Sequence, residues 1–123
     1  MNSILWTLGA LTAGQLSSVD EHNAVMYTQQ LIMKEMVAVC ADKFPSDRTR
    51  FETTLDLWSR VNRDAIRDGK AVAIMLGQQE GIDDAEQAYK QEAKLMAEEL
   101  SAASAEQVRP YCDNLIEVLQ AES

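Results

Sequence analysis

Residues 20–45 read DEHNAVMYTQQLIMKEMVAVCADKFP, and this stretch decides the fold class. Its apolar side chains follow helical spacing, which predicts a long amphipathic helix over 20–43. The clearest repeat has a period of seven residues and is formed by Val25, Ile32 and Val39. Either Asp20 or Ser18 is expected to cap the start of the helix. The helix is expected to end at Phe44, because the proline that follows disfavours helical backbone angles in the residue before it.

The same helical spacing recurs through the rest of the chain, and strand-like alternation is almost absent. A second helix is predicted to begin after an N-cap at Ser46 and to stop at Gly69. Its core stripe consists of Phe51, Leu55, Trp58, Val61 or Asn62, and Ala65. The apolar run over 71–76 suits a strand or a helical turn, and we interpret it as helix in this helical chain. Residues 77–81 begin and end with glycine and are expected to form a mobile loop.

Two more helices are predicted near the C-terminus. Asp83 or Asp84 caps the first of them. Proline costs about 3 kcal/mol inside a helix. Pro110 therefore predicts either a turn over 104–109 followed by a helix over 110–121, or one helix that is kinked at the proline.

Length and composition agree with one small all-α domain. The chain has 123 residues, of which 46% are apolar and 25% charged, and this balance excludes a disordered or collagen-like chain. We expect a single helical domain over 19–123, a bundle of about four to six helices. Residues 1–18 carry no charged side chain, and they form either a short apolar helix or a signal-like secretory segment. No stable membrane span is predicted, because a bilayer crossing needs about 20 apolar residues.

Cys40 and Cys112 are the two cysteines of the chain, and each lies on an apolar helical face. We predict that they form a disulfide inside the bundle. Such a bond would close a loop of roughly 70 residues and stabilise the fold by about 4 kcal/mol. Disulfides persist in oxidising compartments, so the pairing predicts a periplasmic or secreted protein. The alternative is two unlinked buried thiols in a cytoplasmic protein.

Charge is distributed unevenly along the chain. Residues 1–79 hold 9 acidic and 8 basic residues, whereas residues 80–123 hold 11 acidic and 3 basic residues. Nucleic acid is excluded as a main partner, because such binding depends on Lys and Arg that neutralise phosphates. The acidic part favours a basic protein as the partner. The candidate contact residues are Glu80, Asp83, Asp84 and Glu86, which in the alternative interpretation only solvate one helix face.

The sequence contains none of the strong motifs for catalysis or cofactor binding. Gly-x-Ser-x-Gly, a glycine-rich phosphate loop and His-Glu-x-x-His are all absent. His22 is the single histidine, and no nucleophile or metal-ligand set can be assigned to it. We therefore expect a protein that is not an enzyme and that binds no metal or cofactor.

Three functional hypotheses follow from these features. The leading one is an exported helical protein-binding module of the inhibitor or immunity type, which acts by stoichiometric contact with a basic partner. The first alternative is a helical carrier of a small apolar ligand, motivated by the six methionines and the wide apolar face over 25–39. The second alternative is a self-associating structural module, motivated by the seven-residue repeat.

Overall fold

A computed structural model describes residues 17–123, which form five α-helices and one short 3-10 helix. The elements in chain order are α1 (Ser18–Lys43), the 3-10 helix (Pro45–Asp47), α2 (Arg48–Val61), α3 (Arg63–Gln79), α4 (Ala85–Ala102) and α5 (Ala105–Ala121). The predicted small all-α bundle is confirmed. Within residues 17–123, none of the helices has the length and apolarity that a bilayer crossing requires. The interpretation of the first 18 residues falls mainly on residues 1–16, which lie outside the described residues.

Helix α1 is the central element, because it contacts each of the other four α-helices. Its neighbours surround it, so its buried residues are spread over more than one face. Ala24 and Tyr27 are buried, whereas Val25 is 38% exposed and Val39 is half-buried. Of the seven-residue line, Ile32 and Val39 pack against the core at partial burial, and Val25 lies outside it. A helix with partners on several sides buries residues that a single-stripe pattern leaves out.

The two ends of α1 were predicted with unequal success. Ser17 is the N-cap, and its hydroxyl accepts a hydrogen bond of 3.1 Å from the backbone N–H of Asp20. The predicted caps Asp20 and Ser18 both lie inside the helix instead. The C-terminal end is as predicted, because Phe44 is the C-cap and the chain leaves the helix there.

The start of α2 differs from the prediction. Ser46 lies inside the 3-10 helix, and Asp47 occupies the N-cap position without a side-chain capping bond. The carboxylate of Asp47 accepts a hydrogen bond of 2.9 Å from Arg109 of α5. The side chain that would cap α2 thus ties α2 to the last helix.

The predicted helix from Ser46 to Gly69 is divided at Asn62, which separates α2 from α3. The Asn62 amide donates to the carbonyl of Trp58 at 2.9 Å and to the carbonyl of Glu122 at 3.2 Å. The Trp58 indole N–H also donates to the Glu122 carboxylate at 2.9 Å. The break between the helices therefore holds the C-terminal end of the chain in place.

Gly69 and Gly77 do not end helices or form a loop, because both lie buried inside α3. A Cβ at Gly69 would overlap the backbone carbonyl of Asn23 in α1, and a Cβ at Gly77 would lie 2.6 Å from the Cβ of Ala85. The missing side chains therefore allow α3 to approach α1 and α4 closely. The turn to α4 occupies residues 80–84, where Gly81 has a φ of 83°, so the predicted loop over 77–81 is right at residues 80 and 81 and wrong at 77–79, which are helical.

Helix α5 is one continuous helix that contains Pro110, so the predicted turn over 104–109 is wrong and the alternative of a single helix is right as to its continuity. Ser104 and Gln107 form a capping box at its start. Near a helix start, proline removes one backbone hydrogen bond, and the box satisfies two free backbone N–H groups there. The cap thus favours helix in a segment where the proline alone argues against it.

The core has two parts. In the first, Cys40 and Cys112 form the predicted disulfide, with their Cα atoms 5.8 Å apart and both side chains fully buried. Phe51 and Trp58 of α2 are fully buried in the same cluster. Its other buried members are Met26, Met36, Val37, Ala97, Val108, Leu115, Ile116 and Leu119. The second part joins α1, α3 and α4 and contains Ala24, Tyr27, Ala73, Leu76, Ala85 and Tyr89.

The close contact between α1 and α3 predicts the effect of Gly69→Ala. Alanine is favoured over glycine inside a helix by about 1 kcal/mol. The overlap with the Asn23 carbonyl outweighs this gain, so the free energy of unfolding in urea should fall by about 2 kcal/mol or more. Ala71→Leu, at an exposed position of the same helix, is the control and should change it by about 0.5 kcal/mol or less. A Gly69→Ala variant at least as stable as the original chain would contradict the packing.

Candidate functional site

The structure brings the four predicted contact residues together on the turn between α3 and α4 and the first turn of α4. Asp83 is exposed, and Asp84 caps α4 by accepting a hydrogen bond of 3.1 Å from the backbone N–H of Gln87. Glu80 is half-buried, and one of its carboxylate oxygens is buried without a hydrogen-bond partner among residues 17–123. Asp84 therefore has a structural role besides any role in binding.

Glu86, the fourth predicted residue, forms two ion pairs. Its carboxylate lies 2.8 Å from Lys70 of α3 and 3.5 Å from Lys90 of α4. The hydrogen bond from Lys70 lowers the pKa of Glu86. The charge of Glu86 is thus balanced within the molecule, which reduces what it offers to a basic partner.

Glu80 and Glu86 also act on a buried pair of tyrosines. The rings of Tyr27 and Tyr89 meet edge to face, with centroids 6.2 Å apart. Burial raises the pKa of each tyrosine to about 12, and the negative charge of Glu86 on Tyr27 and of Glu80 on Tyr89 adds to the effect. The Tyr89 hydroxyl donates to the carbonyl of Ala73 at 2.8 Å. The Tyr27 hydroxyl is buried without a partner among the described residues.

An open apolar groove lies where α1, α4 and α5 meet, and we call it the methionine groove. It has a volume of about 350 Å³. Its lining residues are Met36, Met96, Glu99, Leu100, Ala103 and Tyr111. Tyr111 is 38% exposed, and partial burial raises the pKa of its hydroxyl. The groove thus offers thioether, aliphatic and aromatic surface beside one carboxylate, that of Glu99.

The end of the groove at the α4–α5 connection is held in place by polar contacts. The Lys43 ammonium donates to the carbonyl of Ala103 at 2.7 Å. Arg109 stacks over the ring of Phe44 at 4.7 Å and pairs with Asp113 at 3.3 Å. These contacts tie the connection between α4 and α5 to the C-terminal end of α1. The two cations near the groove, Lys43 and Arg109, are both engaged within the molecule.

Sequence reasoning did not identify this groove. It left open whether the methionines fill the core or form a binding surface, and the structure shows both situations. Met36 is almost fully buried yet forms part of the groove, whereas Met96 is half-buried. The signal in the sequence that could have pointed to this surface is Tyr111, an aromatic residue four positions before Leu115. In the structure Tyr111 is exposed and Leu115 is buried.

The described residues were compared with the arrangement that a metal centre requires. Within residues 17–123, no group of three or more His, Cys, Asp or Glu side chains is placed to hold a metal ion. His22 is exposed in the first turn of α1. The chain matches no family model, no curated protein and no solved structure.

The buried tyrosines form a matched pair for mutation. Tyr89→Phe removes the hydrogen bond to Ala73 and should lower the free energy of unfolding by about 1 kcal/mol. Tyr27→Phe removes a buried hydroxyl that has no partner among the described residues, so stability should stay equal or rise. Both values can be measured by urea unfolding at neutral pH. A Tyr27→Phe variant that loses as much stability as Tyr89→Phe would show that the Tyr27 hydroxyl is in fact bonded.

Proposed function

We propose that this chain is a non-catalytic binding module that works in an oxidising compartment. It binds a basic protein partner by stoichiometric contact, in the manner of an inhibitor or immunity protein. The observation that carries the proposal is the methionine groove, an open apolar groove whose lining, apart from Met36, belongs to the acidic C-terminal part of the chain.

The chemistry of the groove suits a side-chain anchor of a partner protein. Methionine adapts its shape to different apolar groups, and Met and Tyr are enriched in protein interfaces. A volume of about 350 Å³ accommodates a large aliphatic or aromatic side chain. The carboxylate of Glu99 at the groove can pair with a Lys or Arg beside that anchor. The partner segment is therefore an apolar anchor residue flanked by a basic one.

The charge of the surrounding chain supports the same partner chemistry. Residues 80–123 hold 11 acidic and 3 basic residues, and this excess attracts a cationic protein before contact. Salt screens such attraction, so association should slow as ionic strength rises. In this arrangement the charge sets mainly the association rate, and contacts in the methionine groove set mainly the affinity.

The disulfide supports the compartment in the proposal. A bond between Cys40 and Cys112 is stable where thiols are kept oxidised, which is the condition in a periplasm or outside the cell. It joins α1 to α5, which both contribute to the methionine groove. The groove would thus keep its shape after export.

Capture experiments with matched variants test the proposal. The immobilised chain is exposed to proteins of the cell envelope and medium, and each captured protein is quantified by mass spectrometry. Tyr111→Ala and Glu99→Lys should each weaken capture of a basic partner about tenfold or more. Leu57→Gln is the control, because Leu57 is exposed in a separate groove between α2 and the end of α5.

The outcomes separate the proposal from the carrier alternative. The proposal predicts a partner that the original chain and Leu57→Gln retain equally, that both groove variants lose, and whose capture weakens as salt rises. Capture that is equal for all four chains would contradict it. A small apolar ligand bound in the groove of about 410 Å³ beside Leu57, lost in Leu57→Gln, would favour the carrier instead.

A further inference from the structure

A second groove runs between α1 and α4, along the flank of α4 that lies away from the methionine groove. It consists of two adjoining cavities of about 110 Å³ and about 320 Å³, which share Glu35 and Lys94 in their lining. On α1 it extends from Leu31 to Asp42, a length of about 16 Å at the helical rise per residue. We call it the α1–α4 groove.

Charge changes sign along this groove. Lys34 and Lys90 line one end, Asp42 and Glu98 line the other, and Glu35 and Lys94 lie between them in the lining of both cavities. Among residues 17–123, Lys34, Lys94 and Glu98 form no ion pair within 4.0 Å. Lys90 pairs with Glu86 and Asp42 pairs with Arg48. The unpaired charge at the ends of the groove is therefore positive at Lys34 and negative at Glu98. A simple anion would use only the lysine end.

The shape of the groove suits a helix. Its lining contains the small side chains of exposed Ala38 and of buried Ala93 and Ala97, which allow another helix to approach closely. On the outward side of α4, Leu95 is 46% exposed next to Lys94. Leu95 of one copy can therefore pack against the alanine residues in the groove of a second copy.

We infer that a second copy of this chain packs across the α1–α4 groove in antiparallel orientation, related by a two-fold axis. Such an axis places the basic end of each copy opposite the acidic end of the other, so the ion pairs form twice. The interface is self-complementary and covers Leu95 in both copies. The methionine groove lies on the other flank of α4, so this dimer is argued independently of the proposed function.

Complementary charge reversal tests this dimer. One variant carries Lys34→Glu and Lys94→Glu, and the other carries Asp42→Lys and Glu98→Lys. Each alone places like charges opposite each other and should raise the dimer dissociation constant about tenfold or more in sedimentation velocity. An equimolar mixture of the two should form a heterodimer as tight as the original dimer, identified by native mass spectrometry.

A third variant controls for net charge. It carries Glu52→Lys and Glu117→Lys, which together change the formal charge as much as the second variant does. Both positions are exposed, on α2 and α5, and lie outside the α1–α4 groove. This variant should dimerise like the original chain. Circular dichroism verifies that each variant is folded. The inference is overturned if the original chain is monomeric at all attainable concentrations. It is equally overturned if both groove variants dimerise normally or their mixture forms no heterodimer.

Discussion

The buried disulfide between Cys40 and Cys112 is the constraint on which the rest of the structure depends. It links residues that are 72 positions apart and joins the central helix α1 to the last helix α5. In the chain-entropy description a bond closing such a loop contributes about 4 kcal/mol. Phe51 and Trp58 of α2 pack in the same cluster, so three helices are fixed around one pair of sulfur atoms. Two of them contribute to the methionine groove.

The other half of the bundle has no covalent link and relies on close packing. Glycine and alanine at positions 69, 73 and 77 let α3 approach its neighbours, and the pair Tyr27–Tyr89 connects α1 to α4. Helix α4 thus belongs to both halves. One of its flanks lines the apolar methionine groove, and the other lines the α1–α4 groove, whose charge changes sign along its length. A single helix held by both parts of the core can therefore present two separate contact surfaces.

The sequence predicts what depends on local chemistry and misses what depends on a distant partner. The sequence predicts the end of α1 before proline and narrows the cap of α4 to Asp83 or Asp84, of which Asp84 is the cap, because neighbouring residues determine both features. Gly69 was read as a helix stop, since only the position of Asn23 shows that it serves a helix contact. The Ser104–Gln107 capping box is a local signal, but the sequence alone does not show that it outweighs the cost of Pro110 inside a helix. The methionine groove depends on where α5 places Tyr111, which spacing alone does not give.

The most direct test of this account is urea unfolding of the chain in its oxidised form and in its reduced form under excess reductant. The account predicts that the oxidised sample has no free thiol by intact mass after alkylation, and that reduction lowers the free energy of unfolding by about 4 kcal/mol. Equal unfolding free energies for the two forms, or two alkylated cysteines in chain recovered from an oxidising compartment, would contradict it.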